Sequence, residues 1–334
     1  MAVEQYIAID DRCAWPHLTL MPNGDVVATI FNQPTHGRWE GDVECWGSGD
    51  GGRTWTLRGT PAAHKPSENR MNVGGGLDGH GNLLILCSGW SDRPPRGQEP
   101  AKRFSECRVL PALLARSGDG GFTWAVRENA LPGKPAGVRS ELVPFGKTAV
   151  AADGALCQGV YADTSVYVMR SHDRGESWPE LTPIAQGEFC ECDILHLGEG
   201  RWLAASRRFG KLTNELFRSD DDGRTWRFQE TLTLPRTSAA HLMRLKDGRI
   251  LFSFGDRAWN RKGIDVRISD DEQGRSWSPP YRLKHLDAAD CGYPSTVQLA
   301  DGQLITAYYA SSDGAYQRYH MGVLRWRMED LLAE

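Results

Sequence analysis

The feature that most constrains this chain is a recurring octet, Ser-x-Asp-x-Gly-x-x-Trp. Four uninterrupted copies and a fifth with one inserted residue occur: SGDGGRTW (48–55), SGDGGFTW (117–124), SHDRGESW (171–178), SDDDGRTW (219–226) and SDDEQGRSW (269–277). The Asp can accept backbone N–H bonds inside a turn, the Gly allows a backbone conformation closed to other residues, and the Trp buries a large apolar face. Each octet therefore predicts a rigid turn between two strands.

A second repeat consists of an apolar strand, a turn centred on Gly and another apolar strand. Its six turn glycines stand at positions 24, 81, 154, 200, 248 and 302. A period of about fifty residues is in the range expected for four-stranded propeller blades. The sequence predicts an all-β fold, a six-bladed β-propeller of four-stranded antiparallel blades, with residues 1–334 as a single domain. The last unit lacks an octet, so we expect the N-terminal strand VEQYIAI to complete its blade.

Charge and composition exclude several classes of partner. The formal net charge of −4 provides no broad positive field for nucleic acid and no basic patch for a membrane. No segment reads as a secretory signal or a membrane span, which predicts a cytoplasmic location. The eight scattered cysteines are interpreted as reduced thiols, and their spacing does not suit zinc. We predict no metal, no cofactor, and a glycan or small sugar as the substrate.

The octets resemble the Asp boxes, or bacterial neuraminidase repeats, of sialidases and their relatives. In that family the boxes lie at the blade periphery, so the resemblance implies a structural role for the octet Asp residues. It also implies a glycoside hydrolase, an exo-glycosidase that removes a terminal acidic sugar. Propellers place their sites where the innermost strands converge, so functional residues are expected there.

The resemblance implies three catalytic residues. Tyr293, in CGYPSTVQLADGQ, matches the tyrosine nucleophile, and Glu191, in CECDILHLGEG, matches the glutamate that polarises it. Asp42, six residues before Ser48 of the first octet, falls near the acid/base aspartate. A phenol suits a keto-acid sugar, because the carboxylate on its anomeric carbon would repel an anionic nucleophile.

Two arginines match the family's substrate-binding triad, and the first triad position departs from it. Arg207 lies at the end of the strand–turn–strand unit that begins near Glu191, and Arg261 lies eight residues before the fifth octet. Where sialidases have Arg-Ile-Pro on the first inner strand, this chain has Ala-Trp-Pro at positions 14–16, and Arg12 is the nearest substitute. A uronic acid, a shorter keto-acid sugar or a neutral glycan is therefore an alternative to sialic acid.

Two histidines are further candidate site residues, and two other functions are alternative hypotheses. His36 lies in the loop that approaches the acid/base position and can carry a proton near neutral pH, while His241 begins the fifth inner strand and can contact a ligand. A polysaccharide lyase would abstract a proton with Tyr293 or a histidine while an arginine neutralises the uronate. A propeller that only binds glycans is the third hypothesis.

Overall fold

The computed structural model describes residues 3–132 and 137–331, and strands make up about half of them. The helices in these ranges are a 3₁₀ turn at Phe104–Glu106 and a short α-helix, α1, at Met328–Leu331. Neither of these two helices has the length and apolar character that crossing a membrane requires. The prediction of an all-β fold is confirmed.

The strands form sheets in chain order, apart from the first strand, β1 (Glu4–Asp10), which joins the last sheet. The first complete sheet contains β2 (Ala14–Leu20), β3 (Val26–Phe31), β4 (Val43–Ser48) and β5 (Thr56–Ala62). An eight-stranded sheet follows. Its first half contains β6 (Asn72–Leu77), β7 (Leu83–Trp90), β8 (Val109–Ser117) and β9 (Ala125–Arg127), and its second half β10 (Val143–Val150), β11 (Leu156–Ala162), β12 (Ser165–Ser171) and β13 (Glu180–Ala185).

Three further sheets complete the described chain. The first contains β14 (Phe189–Gly198), β15 (Arg201–Arg208), β16 (Thr213–Ser219) and β17 (Arg227–Thr231), and the second β18 (His241–Arg244), β19 (Ile250–Asp256), β20 (Gly263–Ile268) and β21 (Tyr281–His285). The last contains β22 (Cys291–Gln298), β23 (Leu304–Ala310), β24 (His320–Trp326) and β1. Within every four-stranded group the neighbouring strands are antiparallel, and β1 pairs with β24.

The first strands of the groups contact one another in sequence. The halves of the eight-stranded sheet meet through only two parallel residue pairs, Gly146 with Gly74 and Lys147 with Gly75. Contacts then link β10 to β14, β14 to β18, β18 to β22, β22 to β2 and β2 to β6. This arrangement of four-stranded antiparallel groups fits a β-propeller.

Burial follows strand position within each group. Strands β3, β19, β23 and β24 are buried at every residue, whereas the outer strands β5, β9 and β17 are mostly exposed or half-buried. A strand covered by neighbouring sheets on both faces needs a continuous apolar run, which explains stretches such as VVATIF and LITAYYA. The cores therefore lie between adjacent sheets.

The octets form the turns between the third and fourth strands of their groups. They are therefore separated in sequence from the first strands by two complete strands. In the first octet, Asp50 Oδ1 accepts the N–H groups of Arg53 and Thr54, each at 2.9 Å, and Ser48 Oγ accepts the Gly52 N–H at 2.9 Å. In the third and fourth octets the Gly N–H again donates to the Ser hydroxyl oxygen, and a backbone N–H again donates to the Asp carboxylate. The eight cysteines carry free thiols.

Candidate active site

A cavity of about 400 Å³ opens where the first strands converge. Among the predicted site residues, Tyr293, Glu191, Arg207, His36 and His241 line it. They come from β22, β14, β15, the loop after β3 and β18, which are distant in sequence. The convergence of the strands therefore brings five of the eight predicted residues to one cavity.

Irregularities in three first strands position the side chains that face the cavity. The pairing register shifts around Trp15 in β2, Glu191 in β14 and Tyr293 in β22. These residues have φ values of 45°, 37° and 46°. A bulge with a residue in the left-handed region redirects a side chain that regular alternation would place elsewhere. Trp15 and Tyr293 also share a local pattern, because each precedes a proline.

Tyr293, Glu191 and Arg207 form a hydrogen-bonded chain. The Tyr293 hydroxyl donates to Glu191 Oε1, and Arg207 Nη1 donates to Glu191 Oε2 at 3.1 Å. The Glu191 and Arg207 side chains are 13% and 12% exposed, so the pair is largely shielded from water. Arg207 Nε is buried and has no hydrogen-bond partner in the described parts of the chain. Arg207 thus orients Glu191 and keeps donor capacity for a ligand.

The protonation states in this cluster follow from burial and charge. Burial opposes ionisation of Glu191, but the Arg207 guanidinium and the bond from Tyr293 bring the Glu191 pKa below its ordinary value. Burial, and then the Glu191 carboxylate, raise the pKa of the Tyr293 phenol well above its ordinary value. At neutral pH the pair therefore consists of a protonated phenol and a carboxylate able to accept its proton.

Arg257 is a second arginine at this cluster, and the sequence prediction missed it. Its guanidinium carbon lies 5.6 Å from the Tyr293 ring centroid and 5.9 Å from that of Tyr309. Its Nε donates to the Cys291 carbonyl at 2.7 Å. Burial opposes its charge, yet the neighbouring tyrosines and Asp290 raise the pKa of Arg257. The charge of Arg257 at this distance favours the ionised form of the Tyr293 phenol and opposes the effects of burial and Glu191.

His36 belongs to a second hydrogen-bonded group at the cavity. Its Nδ1 lies 3.0 and 3.2 Å from the two carboxylate oxygens of Asp290. The hydroxyls of Tyr309 and Tyr319 donate to the same carboxylate at 2.5 and 2.6 Å. Burial opposes ionisation of Asp290, but the bond from His36, followed by those from the two tyrosines, holds the Asp290 pKa well below its ordinary value.

The inner end of the cavity is polar as well. Asp193, only 1% exposed, accepts bonds from the Lys147 ammonium group and, at 2.7 Å, from the Leu242 N–H. His17 and His241 lie beside this pair, and burial lowers the His241 pKa to about 3. His241 Nδ1 is buried without a partner in the described residues, so it can bond to a ligand.

Aromatic side chains supply most of the remaining wall. The Trp15 centroid lies 6.3 Å from that of Tyr293 and 4.7 Å from that of His36. Phe145 packs edge-on against Tyr293 at 5.9 Å, and Trp90 contacts Phe104, in the connection between β7 and β8, at 4.3 Å. A pocket of aromatic faces with few convergent polar groups is typical of small-molecule sites.

Three predicted site residues, Asp42, Arg12 and Arg261, do not line the cavity and pair with other side chains instead. Asp42 Oδ1 accepts bonds from the N–H and Nδ1 of His64 at 2.8 and 2.6 Å. Arg12 Nε pairs with Glu44 at 3.3 Å, and Arg261 Nε pairs with Asp256 at 2.8 Å in the turn after β19. All three lie outside the strands, so their spacing from the octets and from the first inner strand does not determine where their side chains point.

Sequence signals existed for some of the residues that were missed. Arg257 ends the repeat unit HLMRLKDGRILFSFGDR, and Lys147 begins the unit KTAVAADGALCQGVY. The similarity of Ala-Trp-Pro at 14–16 to Gly-Tyr-Pro at 292–294 marks Trp15. No comparable pattern marks Asp290, which precedes its strand by one residue and whose hydrogen-bond partners His36, Tyr309 and Tyr319 are distant in sequence.

The fold and the repeats indicate a sialidase-like protein of the BNR-repeat superfamily, diverged from true sialidases. The chain belongs to the BNR repeat-like domain family, whose model matches residues 99–306. This confirms the resemblance inferred from the octets.

Individual proteins resemble the chain at low identity. A sialidase of Micromonospora viridifaciens is 24% identical over 357 residues, covering 96% of this chain and 54% of the sialidase, so the chain spans about half the length of this relative. A crystal structure of a protein of unknown function from Dyadobacter fermentans has a TM-score of 0.82 at 22% identity, covering 97% and 98% of the two chains. Trypanosoma rangeli sialidase in complex with the inhibitor DANA has a TM-score of 0.70 at 16% identity, covering 98% of this chain and 56% of that one.

Proposed function

We propose that this chain is a six-bladed β-propeller, folded as one domain, that acts as an exo-glycosidase on a terminal acidic sugar. The Tyr293–Glu191–Arg207 chain in the cavity carries this proposal. A hydroxyl bonded to a buried carboxylate is the arrangement that nucleophilic catalysis by a neutral group requires. The cyclic contacts among the six first strands support the blade count.

The first chemical step forms a glycosyl-tyrosine. The Tyr293 oxygen attacks the anomeric carbon and passes its proton to Glu191, while the bond from that carbon to the leaving oxygen breaks and the leaving oxygen takes a proton. In the second step, water gives up a proton and attacks the same carbon, and the Tyr293 oxygen leaves and recovers its proton from Glu191. The neighbouring Arg207 and Arg257 stabilise the negative charge that passes through Glu191 and the phenol.

The charges in the site favour an acidic sugar. Arg207 retains an unpartnered Nε among the described residues, and a guanidinium bonds a carboxylate through paired N–H groups. Trp15, at the first triad position, replaces a charged contact with an aromatic face. We therefore propose that the substrate carboxylate is held by fewer arginines than in sialidases, which favours keto-acid sugars other than sialic acid, or a uronic acid.

The test is a glycoside screen on the purified protein. Aryl glycosides of sialic acid, its deaminated keto-acid analogue, a uronic acid and a neutral hexose are compared for release of the aryl group. We expect cleavage of one acidic sugar, loss of turnover in Tyr293→Phe, and wild-type turnover in Tyr167→Phe, a buried tyrosine outside the cavity.

Three results would contradict the proposal. Full turnover by Tyr293→Phe would remove the tyrosine from the chemistry. An unsaturated product that absorbs ultraviolet light would indicate a lyase. Binding of an acidic sugar without cleavage of any glycoside would indicate a propeller that only binds.

A further inference from the structure

The proposed reaction needs a group that protonates the leaving oxygen, and the acidic residues lining the cavity are unsuited to that task. These residues are Asp163, Glu191 and Asp193. Backbone N–H groups of Arg139 and Ser140 hold Asp163 ionised, with its pKa below the ordinary value. Glu191 already accepts the Tyr293 proton, and Asp193 is bound by Lys147 and the Leu242 N–H.

The three histidines that line the cavity also differ in how well they are suited to protonate a leaving oxygen. His17 and His241 are 6% and 8% exposed, and burial lowers the pKa of each. Burial thus favours the neutral form of both. His36 is 44% exposed on its side chain and is bonded to a carboxylate, so water and a leaving group can both reach it.

We infer that His36, oriented by Asp290, is the acid/base residue of this site, a role that the family assigns to an aspartate. This inference rests on the proposed function. Because Asp290 is an acceptor on both oxygens, Nδ1 of His36 carries a proton toward it. Nothing in residues 3–132 and 137–331 hydrogen-bonds to His36 Nε2, so that atom is available to the substrate.

The surroundings of His36 support this assignment. Trp15 packs edge-on against its ring at 4.7 Å, and the Tyr309 centroid lies 6.3 Å away. The same two side chains flank Tyr293, with centroids 6.3 and 5.7 Å from its ring. His36 and Tyr293 thus share two neighbours. This proximity is what a proton donor and a nucleophile that act at one anomeric centre need.

The proton balance is complete with these residues. As Tyr293 attacks, the imidazolium of His36 gives its Nε2 proton to the leaving oxygen. Neutral His36 then takes a proton from the attacking water, which restores the imidazolium. Asp290 remains ionised throughout and is a positioning residue, with Tyr309, Tyr319 and Arg257 as the other charged or titratable groups around it.

The test compares leaving groups that need a proton with leaving groups that do not. Nitrophenyl and methyl glycosides of the acidic sugar that the wild type cleaves are used with wild type, His36→Gln, Asp290→Asn and His64→Gln. The last variant is a matched control, because His64 pairs with Asp42 at 2.6 Å in the same way but lies outside the cavity.

We expect His36→Gln to lower kcat/KM on the methyl glycoside by about 100-fold or more, the usual share of general acid catalysis, and to lower it far less on the nitrophenyl glycoside. Asp290→Asn should lower kcat/KM on the methyl glycoside more than on the nitrophenyl glycoside, because His36 loses the carboxylate that orients its Nδ1–H. His64→Gln should match the wild type.

Other outcomes separate this inference from the proposed function. Equal losses on both glycosides, or a His36→Gln profile like that of His64→Gln, would overturn the role of His36 while Tyr293→Phe still tests the nucleophile. Absence of cleavage by the wild type would overturn the proposed function and this inference together.

Discussion

Glu191 is a carboxylate held in its charged form at a nearly dry position. Its ionisation depends on Arg207, which lies 3.1 Å away, and secondarily on the Tyr293 hydroxyl and Arg257. A buried charge that loses its partner is costly, and the usual response is a pKa shift toward the neutral form. Arg207 is therefore needed for the base as well as for a substrate carboxylate.

Replacing Arg207 should change the pH dependence of the reaction. The lowered pKa of Glu191 means that its base form is present at neutral pH and is lost as the pH falls through that pKa. Arg207→Met removes the largest cause of the lowering, so the acid limb of kcat/KM should move to higher pH as kcat/KM falls. A pH profile on an aryl glycoside measures both effects.

Arg208→Met is the matched control, because Arg208 is the next residue of β15 and pairs instead with Glu188 and Glu215. Its acid limb should coincide with that of the wild type. An unmoved acid limb in Arg207→Met would show that the Arg207 charge does not control Glu191.

The octet is the element that fixes each outer turn. Its carboxylate accepts several N–H and O–H bonds from the same turn. In the third octet, bonds from Ser177 lower the pKa of Asp173 to about 2 and outweigh the effect of burial. In the fourth octet, burial opposes ionisation of Asp221, but the bonds from Thr225 still lower the Asp221 pKa to about 2. The octet tryptophans are buried to different degrees, and Trp178 is the most enclosed at 2% exposure. The anchoring role therefore belongs most to the third octet.

Trp178→Ala should lower the free energy of unfolding by about 3–5 kcal/mol, the range for removing a large buried aromatic side chain. Chemical denaturation measures this change, and Trp259→Ala, at an 86% exposed position, should stay within about 0.5 kcal/mol of the wild type. The turnover of folded Trp178→Ala should be unchanged, because Trp178 does not line the cavity. An equal effect of the two substitutions would contradict the anchoring role.

At the scale of the whole molecule, β1 joins the last sheet to the first. It pairs with β24, and the Tyr6 hydroxyl of β1 donates to the Gly52 carbonyl of the first octet. Trp55 Nε1 donates to the same hydroxyl at 3.1 Å, and Arg325 Nε of β24 donates to the Gly51 carbonyl at 3.0 Å. Residues from both ends of the chain thus bind one octet.

Deletion of residues 1–10 should weaken this junction. The deletion leaves the backbone groups of β24 unpaired on one edge, so we expect a lower Tm and self-association through that edge. Differential scanning calorimetry and light scattering measure the two effects. A synthetic peptide of residues 1–12, added to the truncated chain, should restore the Tm, and a wild-type Tm without the peptide would show that β1 is dispensable.

The repeats, read alone, determined the all-β class, the four-stranded grouping and the turn positions, because octets and Gly-centred turns are local structures whose residues contact one another within a few positions. Offsets from those turns also pointed to Tyr293, Glu191 and Arg207, which lie on the strands next to the turns and line the cavity. The tertiary structure decided the rest: Arg257 rather than Arg261 at the tyrosine, Asp290 behind His36, and Asp42 bound to His64. These outcomes depend on residues just outside the strands and on side chains distant in sequence that meet in space, and no periodicity along the chain records either.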